Sequence, residues 1–254
     1  MPQHPASIFI MDIQNSSAEG MGEELSAYLE KMVKWIKTWT NEDVIVKHRR
    51  GDEIILIANG YSTAYEIAHF ISIIWNLPDN PPYFGVSFGD INRELKEIEI
   101  ETWIHPMIKL AREANESLKK EGDNRSQFKF YIKENRAEVQ LLMNSLLMMH
   151  QKLVNEQTDL QKLVFSLLEI FNQQRKAASI LDKSPSTISS HFKKGSGDDL
   201  RMIFNNLIIV MNLLQQKEFP DSHPALPKLQ QSIRTHLQMH ISEWYSKEEG
   251  KGNT

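Results

Sequence analysis

Asn172–Lys194, NQQRKAASILDKSPSTISSHFKK, reads as a helix, a tight turn and a second short helix, and the rest of the chain is organised around it. In Gln174–Leu181, Ala177, Ala178 and Leu181 recur at helical spacing, and the two alanines are small enough to let another helix come close. Asp182-Lys183 interrupts that pattern. Ser184 is suited to cap a helix by accepting an orphan backbone N–H. Pro185 suits the first helical position, where its missing N–H costs nothing. A new helix is therefore predicted from about Pro185, anchored inward by Ile188 and Phe192, four residues apart.

The remaining positions of that second helix are short hydrogen-bond donors followed by cations. The hydroxyls of Ser184, Ser186, Thr187, Ser189 and Ser190 are small enough to bring backbone near base edges and phosphates, and Lys193 and Lys194 can hold the sugar-phosphate strand. Arg175 and Lys176 open the preceding helix, where backbone-crossing contacts belong. The expected partner is double-stranded DNA. Charge agrees: Asn172–Gly195 carries a local balance of +4 in a chain whose total is −4. The plainer alternative is a helical hairpin with a solvated basic face. Gln174-Arg-Lys-Ala-Ala-Ser-Ile-Leu181 followed by Ser184-Pro-Ser-Thr-Ile-Ser189 resembles the helix-turn-helix of many bacterial transcription regulators. Asp182-Lys183 stands where that motif usually has glycine.

Around this hairpin, Leu160–Phe171 is predicted as the first helix of the reader, with Leu163, Leu167 and Ile170 facing in. Leu200, Phe204, Leu207, Met211 and Leu214 form a later stripe, and so do Leu229, Ile233, Leu237, Ile241 and Trp244 beyond a Pro220–Pro227 break. These two helices exceed what a minimal reader needs. They either cover its core or pair two subunits, and a homodimer would match a two-fold operator. Upstream, Ala137, Leu141, Asn144, Leu147, Met148 and Leu153 suggest a long helix able to pass a signal. Met143, Met148 and Met149 are expected to fill core.

At 254 residues the chain is long enough for two domains, and 41% hydrophobic with 24% charged residues argues against wholesale disorder. The absence of cysteine excludes disulfides, thiolate catalysis and cysteine-held metal centres. No basic leader precedes Ile8–Ile13, and no apolar run approaches eighteen residues, so a cytoplasmic protein with no membrane partner is expected.

Toward the N-terminus, Ile8–Ile13 is a continuous apolar run carrying Asp12 near its exit, the pattern of a buried central strand. Leu25, Leu29, Met32, Ile36 and Trp39 mark a helix. Val44–His48 and Glu53–Ala58 are strands joined by a tight turn at Arg49–Asp52. Ala64, Ile67, Ala68, Ile71 and Trp75 mark an amphipathic helix, and Tyr83–Phe88 a further strand. Glu101–Leu118 is predicted as a helix, and Phe128–Ile132 as the strand that closes the order. The expected fold class is thus α+β. A ferredoxin-like βαββαβ sheet domain with helices on one face spans 1–133. An all-α domain spans 134–254, with the helix-turn-helix at 172–195.

In that topology the first strand lies beside the hairpin, and Asp12 and Asp52 sit together at one end of the sheet. Two carboxylates suit Mg²⁺, which takes its remaining ligands from water and phosphate, so a nucleotide could be held there. The alternative is that Asp52 only makes the turn and Asp12 only caps a loop.

Phe9–Ser17, the Gly51-Asp-Glu hairpin and Phe84-Gly-Val-Ser-Phe-Gly-Asp90 resemble a degenerate class III nucleotidyl cyclase domain over roughly residues 7–132. That resemblance implies metal-ligand roles for Asp12 and Asp52. Arg49–Ile54 is also similar to the diguanylate cyclase hairpin. Both families catalyse in-line attack of a ribose hydroxyl on an α-phosphate. Leu110-Ala-Arg-Glu-Ala114 is similar to the second half of the cyclase Asn-x-x-x-Arg helix, which implies a nucleotide-binding role for Arg112, but Ile108 replaces the asparagine. Over its whole length the chain resembles the SatD-like bacterial regulators, a cyclase-like domain ahead of a helix-turn-helix, although Ser87 occupies one place in the glycine motif. The implied function is a DNA-binding transcriptional regulator whose first domain senses a nucleotide or mediates dimerisation. The alternative is a metal-dependent nucleotidyl cyclase carrying a DNA reader. His236 and His240, four apart, lack the acidic partner of a zinc site, and a solvated hairpin edge accounts for His48, Arg49 and Arg50.

Overall fold

Strand β1 (His4–Ile13) has no polar alternation between Ile8 and Met11, so both of its faces need cover, and it takes the middle of a five-stranded sheet. The computed structural model describes residues 3–15, 22–40, 43–49, 51–122, 125–222 and 226–245. The other strands are β2 (Val44–His48), β3 (Ile54–Asn59), β4 (Pro82–Ile91) and β5 (Phe128–Phe130), in the order β2-β3-β1-β4-β5. β1 pairs antiparallel with β3 and β4, β2 antiparallel with β3, and β5 parallel with β4. The first four strands complete a βαββαβ order by themselves. The strand expected at Phe128–Ile132 is shorter and extends the sheet at its edge.

Helices cover both faces, which corrects the expectation of a one-sided sheet. Phe9, Met11, Leu56 and Val86 join a core with α1 (Gly22–Thr40) and α2 (Thr63–Ile74). Ile8, Ile10, Ile55 and Ile57 pack with Met107 and Ala111 of α3 (Pro106–Lys120). α3 comes so close that a Cβ on Gly85 would lie 2.1 Å from the Ala111 carbonyl oxygen, and Asn115 Nδ2 donates to the Ile10 carbonyl at 3.0 Å. This helix starts five residues later than the predicted Glu101. Pro106 holds His105 extended, and His105 Nδ1 accepts from the Met107 N–H at 3.3 Å.

The free edge of β5 is closed by side chains of α4 (Ala137–Glu156). Asn144 donates to the Phe130 carbonyl and accepts from the Phe130 N–H, both at 2.8 Å; Gln140 accepts from the Ile132 N–H at 2.7 Å and Gln151 from the Gln127 N–H at 2.8 Å. Amides spaced along one helix face thus stand in for a sixth strand and satisfy an edge that would otherwise be open to pairing.

The all-helical part continues with α5 (Asp159–Phe171), α6 (Gln174–Leu181), α7 (Pro185–Lys194), α8 (Gly197–Glu218), α9 (Leu226–Met239) and α10 (Ile241–Trp244). It packs onto α2, which is buried along Thr63–Ile71 and so is not amphipathic as its sequence suggested. His69 of α2 stacks on Phe204 of α8 at 3.9 Å, and Tyr65 meets Phe128, Phe130 and Phe204. α4 also differs from expectation. Met143, Leu147 and His150 face inward, whereas Leu141, Met148 and Met149 point outward. His236 packs against Trp35 and Trp39, and His240, expected to lack an acidic partner, has one in Glu243 at 2.7 Å, which the helix turn between them brings within reach. Among the described residues no helix is long and apolar enough to cross a membrane.

Candidate functional site

At one end of the sheet, the pairing of Met11 with Ile54 brings the exit of β1 alongside the β2–β3 hairpin. Gly51 takes a positive φ of 96° at the tip, where a side chain would be strained, and the Arg49 N–H closes the turn on the Glu53 carbonyl at 2.9 Å. Asp12 and Asp52, forty positions apart, come into side-chain hydrogen-bond contact. Burial first, then the proximity of Asp52, raises the Asp12 carboxyl from 3.8 to about 6. A hydrogen bond from Tyr83, its cross-strand neighbour on β4, and one from the Ile13 N–H at 2.9 Å act in the opposite direction. Burial, with Asp12 next to it, raises the Tyr83 hydroxyl strongly.

Arg112 enters the same corner from α3, engaged with Glu53. Its guanidinium donates to both carboxylate oxygens, Nη1 to Oε2 at 2.9 Å and Nη2 to Oε1 at 3.3 Å. Arg49 binds Glu53 from the other side at 3.3 Å and also donates to the Ile100 carbonyl at 3.2 Å. Glu53 is thus clamped by two arginines, and its pairing raises Arg112 above its ordinary range. His48 Nε2 lies 3.0 Å from the Gly51 carbonyl oxygen. Arg50, Ser16 and Ser17 lie outside the described residues. Neither Tyr83 nor the Glu53 clamp was found from sequence, since strand register and helix docking create both. Among the described residues no group of three histidine, aspartate or glutamate side chains is placed to hold a metal. The donors on hand are the Asp12–Asp52 pair, a set that suits Mg²⁺ only with water or phosphate completing its shell.

The second candidate is the α6–α7 surface. α6 ends at Asp182, whose φ of 53° supplies the left-handed residue that glycine often provides in such a turn. Ser184 then caps α7, its Oγ accepting from the Thr187 N–H at 3.1 Å. Ala177, Ala178, Ile188 and Phe192 are buried. Arg175, Lys176, Ser184, Ser186, Ser190, Lys193 and Lys194 are exposed, and Thr187 and Ser189 are half-buried. Among the described residues, Arg175, Lys176, Lys183, Lys193 and Lys194 have no acidic partner, Lys176 lying 5.9 Å over the Phe171 ring. Gly197 is needed at the exit, since a Cβ there would sit 2.3 Å from the Phe192 ring.

No family model matches the chain, and no curated protein matches it. Among solved structures it is similar to the active GGEEF domain of a diguanylate cyclase from Vibrio cholerae, with 18% identity over 52% of this chain and 85% of that chain and a TM-score of 0.36. It is also similar to an EAL/GGDEF domain protein from M. capsulatus, with 14% identity over 50% of this chain and 85% of that one and a TM-score of 0.35. Likenesses this distant leave each site to be argued from its own geometry.

Proposed function

We propose that the protein is a cytoplasmic DNA-binding transcriptional regulator of the SatD-like kind. In this reading a ferredoxin-like, cyclase-derived domain (1–133) senses a nucleotide or sets subunit pairing, and a helical domain (134–254) reads double-stranded DNA through the helix-turn-helix at 172–195. One observation carries it: five cations without acidic partners among the described residues flank a capped helix whose exposed positions include short hydroxyls. Open positive charge of this kind binds phosphate by releasing counterions, and the serines let the helix approach the bases. Asp182, Asp198 and Asp199 nearby are also exposed, so the favourable field is local to the α6–α7 face.

On the sheet, Mg²⁺ would be held by Asp12 and Asp52, with water and a nucleotide phosphate supplying its other ligands. The ion would supply neutralising charge there. Below about pH 6 the Asp12 proton would compete with the ion, and Arg112 can reach a phosphate only by leaving Glu53. That exchange would tie ligand binding to the hairpin and to α3, both of which pack on the central strands.

The test is binding of the purified chain to a pool of its source genome's fragments at two salt concentrations, with Arg175→Ala and Lys193→Ala alongside. A few enriched fragments, with affinity falling as salt rises and in both variants, support the regulator. No enrichment and no salt response overturn it. A second reading, a nucleotidyl cyclase, is favoured by the Asp12–Asp52 contact. Steady cyclic product from a nucleoside triphosphate and Mg²⁺, lost in Asp12→Ala, would establish that enzyme.

A further inference from the structure

Apolar surface is distributed very unevenly. Of ten exposed large hydrophobic side chains among the described residues, eight lie on α4 and α8. On α4 they are Leu141 (69% exposed), Leu142 (66%), Met148 (68%) and Met149 (60%). On α8, which packs against α4, they are Met202, Ile209, Val210 and Leu213. Leu141, Leu142, Met148 and Met149 share one face of α4, and exposed apolar side chains gathered on one face mark an interaction surface.

The outward face of α4 also has a symmetry of its own. Ser145 is exposed at its centre, and its small side chain folds back onto the Leu141 carbonyl at 2.9 Å. Leu142 and Leu141 lie three and four residues before it, Met148 and Met149 three and four after it. Glu138 lies seven before, and Lys152 seven after. Both charged residues are exposed, and neither has an ion partner among the described residues. Placed antiparallel on a second copy of itself, with the two-fold axis through Ser145, this helix sets leucine against methionine and Glu138 against the second copy's Lys152. An isologous contact needs a surface complementary to itself, and opposite charges at equal distances on either side of an apolar centre supply that.

We propose that the α4 face, extended by α8, is the homodimer interface, formed with a second copy of this chain antiparallel about Ser145. The proposal places pairing on the helical part and not on the 1–133 domain, and it does not depend on the DNA-binding reading, because it is tested without DNA. The first experiment is sedimentation equilibrium of the full chain. A dimer is expected, with its dissociation constant raised at least a hundredfold by Met148→Glu. Met148 is exposed, and an unchanged circular dichroism spectrum would exclude unfolding as the cause. Glu138→Lys and Lys152→Glu should each weaken the dimer, and the double exchange should restore it. Since the chain has no cysteine, Ser145→Cys introduces a single thiol that should form an intersubunit disulfide on mild oxidation, while Ser186→Cys on α7 should not. A monomer at every concentration overturns the proposal. So does a dimer that withstands Met148→Glu and leaves Cys at position 145 unlinked.

Discussion

The two candidate sites treat charge in opposite ways. At the sheet end, charge is answered internally: Glu53 is held by Arg49 and Arg112, and Asp12 is pressed against Asp52 and Tyr83. On α6–α7, Arg175, Lys176, Lys183, Lys193 and Lys194 have no acidic partner among the described residues. Paired, half-buried charges hold elements in register and must be exchanged before a ligand can use them. Unpaired exposed charges contribute little to stability and remain free for a partner. Substitutions at the first site should therefore register in folding, and at the second in binding.

The largest effect expected is at Gly85, where α3 meets β4. A Cβ there collides with helix backbone, so Gly85→Ala should destabilise the protein by about 3 kcal/mol in chemical denaturation. Unchanged stability would mean that α3, and Arg112 with it, does not sit on the sheet as described.

For α6–α7 the expectation reverses. Lys193→Ala or Arg175→Ala should leave the denaturation midpoint nearly unchanged and weaken DNA binding about tenfold at low salt, lowering the salt slope by about one unit each. A clear loss of stability with no change in binding would make this face structural and erase the contrast.

Breaking the clamp is a smaller perturbation. Glu53→Ala leaves two half-exposed guanidinium groups to turn toward water and should cost about 1 kcal/mol, measured in urea. If Arg112 serves a phosphate, the same variant should bind a Mg²⁺-nucleotide more tightly than the parent, read by titration calorimetry.

The subtlest test is pH. Because the folded protein holds the Asp12 proton up to about pH 6, against 3.8 for an ordinary aspartate, stability from this group is complete below about 4. It is lost as pH rises through 6. Thermal unfolding should show that decline in the parent and not in Asp12→Asn, which should be the more stable of the two at pH 7. Mg²⁺ at pH 7 should stabilise the parent and leave the variant unmoved if the two carboxylates bind it.

Local chemistry made much of this readable in advance. Ser184-Pro185 announces a helix start because cap and proline act within one turn, and Ile188 and Phe192 mark its buried side by their spacing. The run Ile8–Ile13 declares a central strand because it offers no polar face. The juxtaposition of Asp12 and Asp52 followed from strand order. The Glu53 clamp did not, because Arg112 arrives on a helix 59 positions away whose start was misplaced at Glu101. The outward faces of Leu141 and Met148 were likewise misassigned, since the stripe drawn through α4 does not reveal which side meets β5.

What the sequence determined by itself is the set of short-range decisions: where helices begin, which strands lack a polar face, and where positive charge gathers. The tertiary structure alone decided which faces were covered. α2 is enclosed by the helical part, β5 is closed by the amides of Gln140, Asn144 and Gln151, and α3 takes the far side of the sheet. The physical reason is that periodicity reports which residues share a face, whereas burial depends on what the rest of the chain brings to that face.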